Sequence, residues 1–85
     1  MPRSATAEPF VVTSPLVGVF RQSAGGDPPV GEGDQVAAGQ VVGAVEAMQM
    51  PNRIQSERSG IVEKVLVQEG QPVEFGQPLL VLRVT

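Results

Sequence analysis

Two four-stranded antiparallel layers related by a pseudo-twofold, an all-β fold, are what this 85-residue sequence predicts, and three observations carry the prediction. Fifteen valines stand against three phenylalanines and no tryptophan or tyrosine, so the apolar content is mostly β-branched and suits strands. The chain is also written twice. Gly33-Asp-Gln-Val36-Ala-Ala-Gly39-Gln40 returns as Gly70-Gln-Pro-Val73-Glu-Phe-Gly76-Gln77 at an offset of 37. Ser14-Pro-Leu16-Val17-Gly-Val-Phe20 matches Ser59-Gly-Ile61-Val62-Glu-Lys-Val65 at an offset of 45, which assigns eight extra residues (45 less 37) to the stretch between Phe20 and Gly33. Finally, Gly33, Gly39, Gly70 and Gly76 punctuate short apolar runs as turns do. Such a small sheet protein must protect its edges, and a barrel or a paired-sheet sandwich is the usual answer.

Taken in order, residues 1–9 are small, polar and proline-bearing, and read as a flexible leader. Strands are expected at 10–13 and 16–20. Arg21–Gly31 follows as a loop, in which Gly25-Gly26 gives a flexible entry and Pro28-Pro29 a stiff exit. A short strand is expected at 35–36. The next stretch is ambiguous: Val36–Met50 is rich in helix formers and stops at Pro51, so propensity alone favours a helix. Its repeat partner, Gln77–Val84, carries Pro78 and a compact aliphatic run, which reads as strand. Equivalence of the halves therefore makes 41–47 a strand, followed by strands at 50–56, 60–67, 72–73 and 79–84.

Composition excludes several classes of function. A domain of this size buries only about 60–65% of its unfolded surface, so tight aliphatic packing must stabilise it. No cysteine or histidine is present, which removes disulfides, thiolate metal sites and the usual nucleophile–base pairs. The nine carboxylates are dispersed and suggest no metal centre. A net charge of −3 without a basic cluster argues against nucleic acid. Nothing approaches the roughly 18 apolar residues of a membrane span. The first ten residues lack an apolar signal core, and a cytoplasmic location is expected.

The most specific segment is Glu46-Ala47-Met48-Gln49-Met50-Pro51. It resembles the biotin-attachment site of biotin carboxyl carrier proteins, in which a lysine between the two methionines forms an amide with biotin. Here that position holds Gln49. A carboxamide nitrogen is non-basic, its lone pair being delocalised into the carbonyl, so it does not attack an activated acyl group. The single lysine, Lys64, lies in an expected strand and reads as a solvent-facing residue. The resemblance continues through Pro51-Asn52-x-Ile54, Ser59-Gly60-x-Val62 and Val67-x-Glu69-Gly70-Gln71-Pro72-Val73-Glu74-Phe75, and is closest to the carriers of acetyl-CoA carboxylase. It covers residues 10–84 and implies the flattened, hammerhead-type barrel of biotinyl and lipoyl domains, with Met48 and Gln49 on a hairpin between the halves. Met-Gln is not a favoured pair for a type I′ turn, so the hairpin rests on the resemblance. In an extended chain Met48 and Met50 would share a face opposite Gln49.

The resemblance further implies recognition roles for Glu46, Ala47, Met48, Met50 and Pro51. It also implies a thumb-like loop over residues 21–31, containing Arg21, Asp27, Pro28 and Pro29, that bends over the hairpin. Biotin is the family's cofactor, but none is expected to be covalently bound here. Expected partners are biotin carboxylase and carboxyltransferase subunits or a biotin ligase-like protein, with a homo-oligomer also open. The chain is thus expected to be a non-catalytic, non-biotinylated, carrier-like binding or scaffold subunit, either a pseudo-carrier or an attachment-site variant of a working carrier, linked to fatty-acid or polyketide precursor supply. Two readings compete with it. One is a small non-redox enzyme or cyclase that reuses the barrel, for which an apolar cavity beneath the 21–31 loop would speak. The other is an interaction module unrelated to carboxylation.

Overall fold

A computed structural model describes residues 9–23 and 25–85. Eight strands follow in order: β1 (Pro9–Thr13), β2 (Gly18–Arg21), β3 (Gln35–Val36), β4 (Val41–Ala47), β5 (Met50–Gln55), β6 (Gly60–Val65), β7 (Pro72–Val73) and β8 (Pro78–Val84). They form two four-stranded sheets, β1-β8-β6-β3 and β5-β4-β2-β7, and every pairing is antiparallel. The repeat thus decides correctly against propensity: Val41–Ala47 is strand. Strand ends differ from expectation by one or two residues; β2 is Gly18–Arg21 rather than 16–20, and β6 stops at Val65 rather than 67. Of the expected leader, residues 1–8 lie outside the described residues, and Pro9 already pairs with Arg83 in β1.

Each half gives two strands to each sheet. β1 and β3 join β6 and β8, while β5 and β7 join β2 and β4. The halves are therefore interlocked, and neither half has a core of its own. Alternating side chains from both sheets meet in one aliphatic interior: Phe20, Val36, Val42, Val45, Val62, Val73, Leu79, Leu80 and Leu82 are all buried. Each fully buried valine or leucine adds about 1.5–3 kcal/mol of hydrophobic stabilisation relative to exposure.

The turns repeat the symmetry bond by bond, and they correct one reading of the sequence. Ser14 and Ser56 are both buried, and each hydroxyl donates to the carbonyl two residues on, Leu16 at 2.7 Å and Arg58 at 2.6 Å. Gly76 N–H donates to the Ser14 carbonyl, as Gly39 N–H does to that of Ser56. Phe20 N–H donates to the Gln71 carbonyl and its carbonyl accepts from Gly70 N–H, as Val62 N–H donates to the Asp34 carbonyl and its carbonyl accepts from Gly33 N–H. Ser14 thus corresponds to Ser56, and Phe20 to Val62, at an offset of 42 rather than 45; against the offset of 37 for Gly33 and Gly70, the insertion is five residues, not eight. The sequence alignment locked onto Ser59 because serine recurs three residues later. Only Ser56 has the buried, back-bonded hydroxyl.

Candidate hairpin site

The tip of the β4–β5 hairpin stands out because its conformation and its residues disagree. Ala47 pairs with Met50, which leaves Met48 and Gln49 as a two-residue loop. Their φ angles are +53° and +65°, the double positive that a type I′ turn requires. Asn and Gly adopt this region readily; for other L-residues the left-handed conformation costs roughly 1–2 kcal/mol each. Such local strain concentrates at functional sites. The turn also overrides the face alternation expected of an extended chain: Met48 is 95% exposed and Met50 66%, with Gln49 exposed between them.

Neighbouring elements fix this tip firmly. Glu46 and Pro51 face each other across the hairpin, Pro51 exposed on the outer strand, where its missing N–H costs no ladder bond. The Asn52 side-chain amide donates to the Met50 carbonyl at 3.1 Å and to that of Val45 at 3.2 Å, bracing the outer strand. On the other flank β2 runs beside β4, with Val19 opposite Glu46. Gly18 permits that approach, because a Cβ there would collide with the Glu46 carbonyl and the Val45 side chain. A Cβ on Gly60, the equivalent of Gly18 in the second half, would likewise collide with the Arg83 carbonyl.

A charged cluster joins the hairpin to the base of the 21–31 loop. Arg21 Nε donates to Glu46 Oε1 at 2.9 Å, and Nη1 to Glu69 Oε2 at 3.0 Å. The backbone N–H of Gln22 donates to Glu69 Oε1 at 2.7 Å. That amide bond, followed by the Arg21 bond, holds the Glu69 carboxyl below the usual glutamate value. Glu69 and then Glu46 raise the Arg21 guanidinium above its own. All three side chains remain partly solvated, so the cluster orients groups more than it stabilises the fold. Further along the loop, Asp27 accepts from Arg53 Nε on β5 at 3.0 Å, while Ser23 Oγ donates to the Asp27 carbonyl. Pro28 and Pro29 follow, both exposed.

Of the residues singled out in the sequence, Glu46, Ala47, Met48, Gln49, Met50 and Pro51 thus share one hairpin, and Arg21 touches it directly through Glu46. Asp27 is tied to β5 at Arg53, four residues along the chain from Gln49. Sequence reasoning gave no role to Glu69, Asn52, Arg53 or Gly18. Phe75 and Val17, which the sequence offers only as members of the resembling tail and of the repeat, are 75% and 65% exposed. The β2 and β7 registers, Val19 opposite Glu46 and Gly18 opposite Val73, place both at the hairpin end of their sheet. Lys64, the only amine-bearing side chain, lies in β6 of the other sheet. No carboxylate grouping suited to a metal occurs among the described residues. A groove of about 460 Å³ runs between the edge strands β1 and β5, lined by Phe10, Val12, Thr13, Ile54 and Gln55 among others. It has a mixed polar and apolar wall.

The likeness to known proteins follows the same geometry. The family model described as "Biotin-requiring enzyme", the biotin/lipoyl model, matches residues 11–82. The chain is 46% identical over 74 residues to the biotin carboxyl carrier protein of acetyl-CoA carboxylase from Pseudomonas aeruginosa, a match covering 85% of this chain and 47% of that protein. It is 44% identical over 71 residues to a chloroplastic counterpart from Arabidopsis thaliana, covering 81% of this chain and 28% of the other. The chain thus spans about half, or less, of the length of these relatives. Among solved structures, a single-chain, multi-domain long-chain acyl-CoA carboxylase superposes with a TM-score of 0.77 at 30% identity, over 91% of this chain and 7% of that one. The urea carboxylase of Kluyveromyces lactis superposes with a TM-score of 0.72, also at 30% identity, over 88% of this chain and 6% of that one. On the family match and this homology, the chain belongs to the biotinyl/lipoyl-domain family and is a close homologue of the biotin carboxyl carrier proteins of acetyl-CoA carboxylase.

Proposed function

We propose that this chain is a carrier-type, non-catalytic subunit of an acyl-CoA carboxylase system that carries no biotin, because Gln49 occupies the position of the modified lysine. The observation behind this reading is the residue at the tip of an otherwise complete attachment hairpin. Biotin attachment needs an amine that attacks an activated carboxyl; the carboxamide of Gln49 has no such nucleophile. The residues present therefore do not fit the covalent group, and no shuttling step runs through this position. What remains is a presentation surface: Met48 and Met50 exposed at the tip, Glu46 oriented by Arg21, and the 21–31 loop drawn to β5 by Asp27.

On this reading the chain binds the biotin carboxylase or carboxyltransferase subunits that a working carrier visits, and it does so in the cytoplasm. It acts as a scaffold or competitor in fatty-acid or polyketide precursor supply. Purified protein added to a reconstituted acetyl-CoA carboxylase should lower the rate with a biotinylated carrier, and excess carrier should relieve the inhibition. An unchanged rate together with no detectable binding to either subunit contradicts the proposal.

The enzyme or cyclase reading calls for an apolar chamber under the 21–31 loop, whereas the groove between β1 and β5 has a mixed polar and apolar wall and no residue of that loop in its lining.

A further inference from the structure

The substitution that removes a nucleophile from the hairpin tip puts an electrophile in its place. The Gln49 carboxamide carbon is a latent acyl donor, inert in water and reactive only when an enzyme supplies a better attacking group. We propose that Gln49 is a transamidation site, at which a cysteine-dependent transamidase joins the side chain to a primary amine. The enzyme thiol attacks the carboxamide carbon and displaces its nitrogen; the amine then displaces the thiol. One carbon–nitrogen bond breaks and one forms. Ammonia leaves with the proton that the amine gives up, and nothing is oxidised or reduced.

The structure selects Gln49 from the eight glutamines of the chain. Gln40, Gln71 and Gln77 are half-buried, and each side-chain oxygen accepts a backbone N–H, from Ala37, Gln68 and Glu74, at 3.0 Å. Gln35 and Gln55 sit within strands, their backbones committed to Ile61 and Val41. The backbone N–H groups of Gln22 and Gln68 are bound to Glu69 and to the Gln71 side chain. Gln49 alone sits on a two-residue tip. Its left-handed backbone lifts it clear of both strands, and its carboxamide has no hydrogen bond among the described residues. Met48 and Met50 give an incoming enzyme adaptable apolar contacts on either side. The amine is a small diamine or a lysine of another molecule, since Lys64 lies in the opposite sheet. Nothing in this inference depends on a carrier role.

The test uses the folded protein, a calcium-independent bacterial transglutaminase and dansylcadaverine as the amine. A single dansyl group on Gln49, located by peptide mass mapping and lost in Gln49→Asn, is the expected result. Asparagine suits the left-handed turn, so that variant keeps the fold while shortening the acyl donor. Labelling of Gln22, Gln55 or Gln68 at the rate of Gln49 overturns the proposal. So does labelling that survives Gln49→Asn, or none at all under conditions that label the urea-unfolded chain.

Discussion

The turns between the short strands and the tip of the central hairpin ask the same thing of the backbone and are answered by different residues. Gly39 and Gly76, at equivalent places in the two halves, hold φ of +89° and +82°. Met48 and Gln49 hold +53° and +65° with full side chains. Where only chain reversal is required, glycine takes the left-handed conformation without steric cost. At the tip, residues with side chains to present take it, against the preference of the turn. On the proposed reading, the difference separates positions that serve the fold from positions that would face a partner.

The sharpest way to break this comparison lies at the two close approaches that support it. Gly18→Ala and Gly60→Ala each force a Cβ against a neighbouring strand and should cost about 1–3 kcal/mol, measured by urea denaturation. The pseudo-twofold predicts similar losses. Only Gly18→Ala should also disturb the tip, seen as faster amide exchange at Met50 and Asn52. Next comes the turn itself. Met48→Asn combined with Gln49→Gly should raise stability by about 1–2 kcal/mol while removing partner binding. Gly76→Ala should lower stability by a comparable amount and leave binding intact. A destabilised Asn-Gly tip would mean that Met48 and Gln49 are not strained as described.

The smallest effect concerns pH. The folded-state value of Glu69 lies below its ordinary value, so the Arg21–Glu69–Gln22 contacts stabilise the protein above about pH 4.5 and are lost as pH falls through the lower folded value. The loss should be slight, shrink in high salt and vanish in Glu69→Gln, because these groups are exposed.

Much of the fold was legible because repetition is a stronger signal than propensity. The helix formers of Val36–Met50 would have misled on their own, and the equivalence with Gln77–Val84 corrected them. The insertion length was misread for a physical reason: Ser56 and Ser59 compete for the match with Ser14, and only burial of the hydroxyl distinguishes them. At the site, the hairpin residues were legible as one contiguous motif. Glu69, Asn52 and Arg53 were not, because their roles arise from pairings between strands that are remote in sequence or from side-chain geometry within the hairpin. Gly18 could have been suspected from its repeat partner Gly60 had the correct offset been used.

The central claim is that a complete attachment hairpin presents a side chain unable to accept biotin. Intact mass spectrometry of the chain and of Gln49→Lys, each co-expressed with an active biotin ligase, tests it most directly. The account predicts an unmodified native chain and a single biotinyl group on the lysine variant. A biotin adduct on the native chain, or a Gln49→Lys protein that folds and stays unmodified, would contradict it.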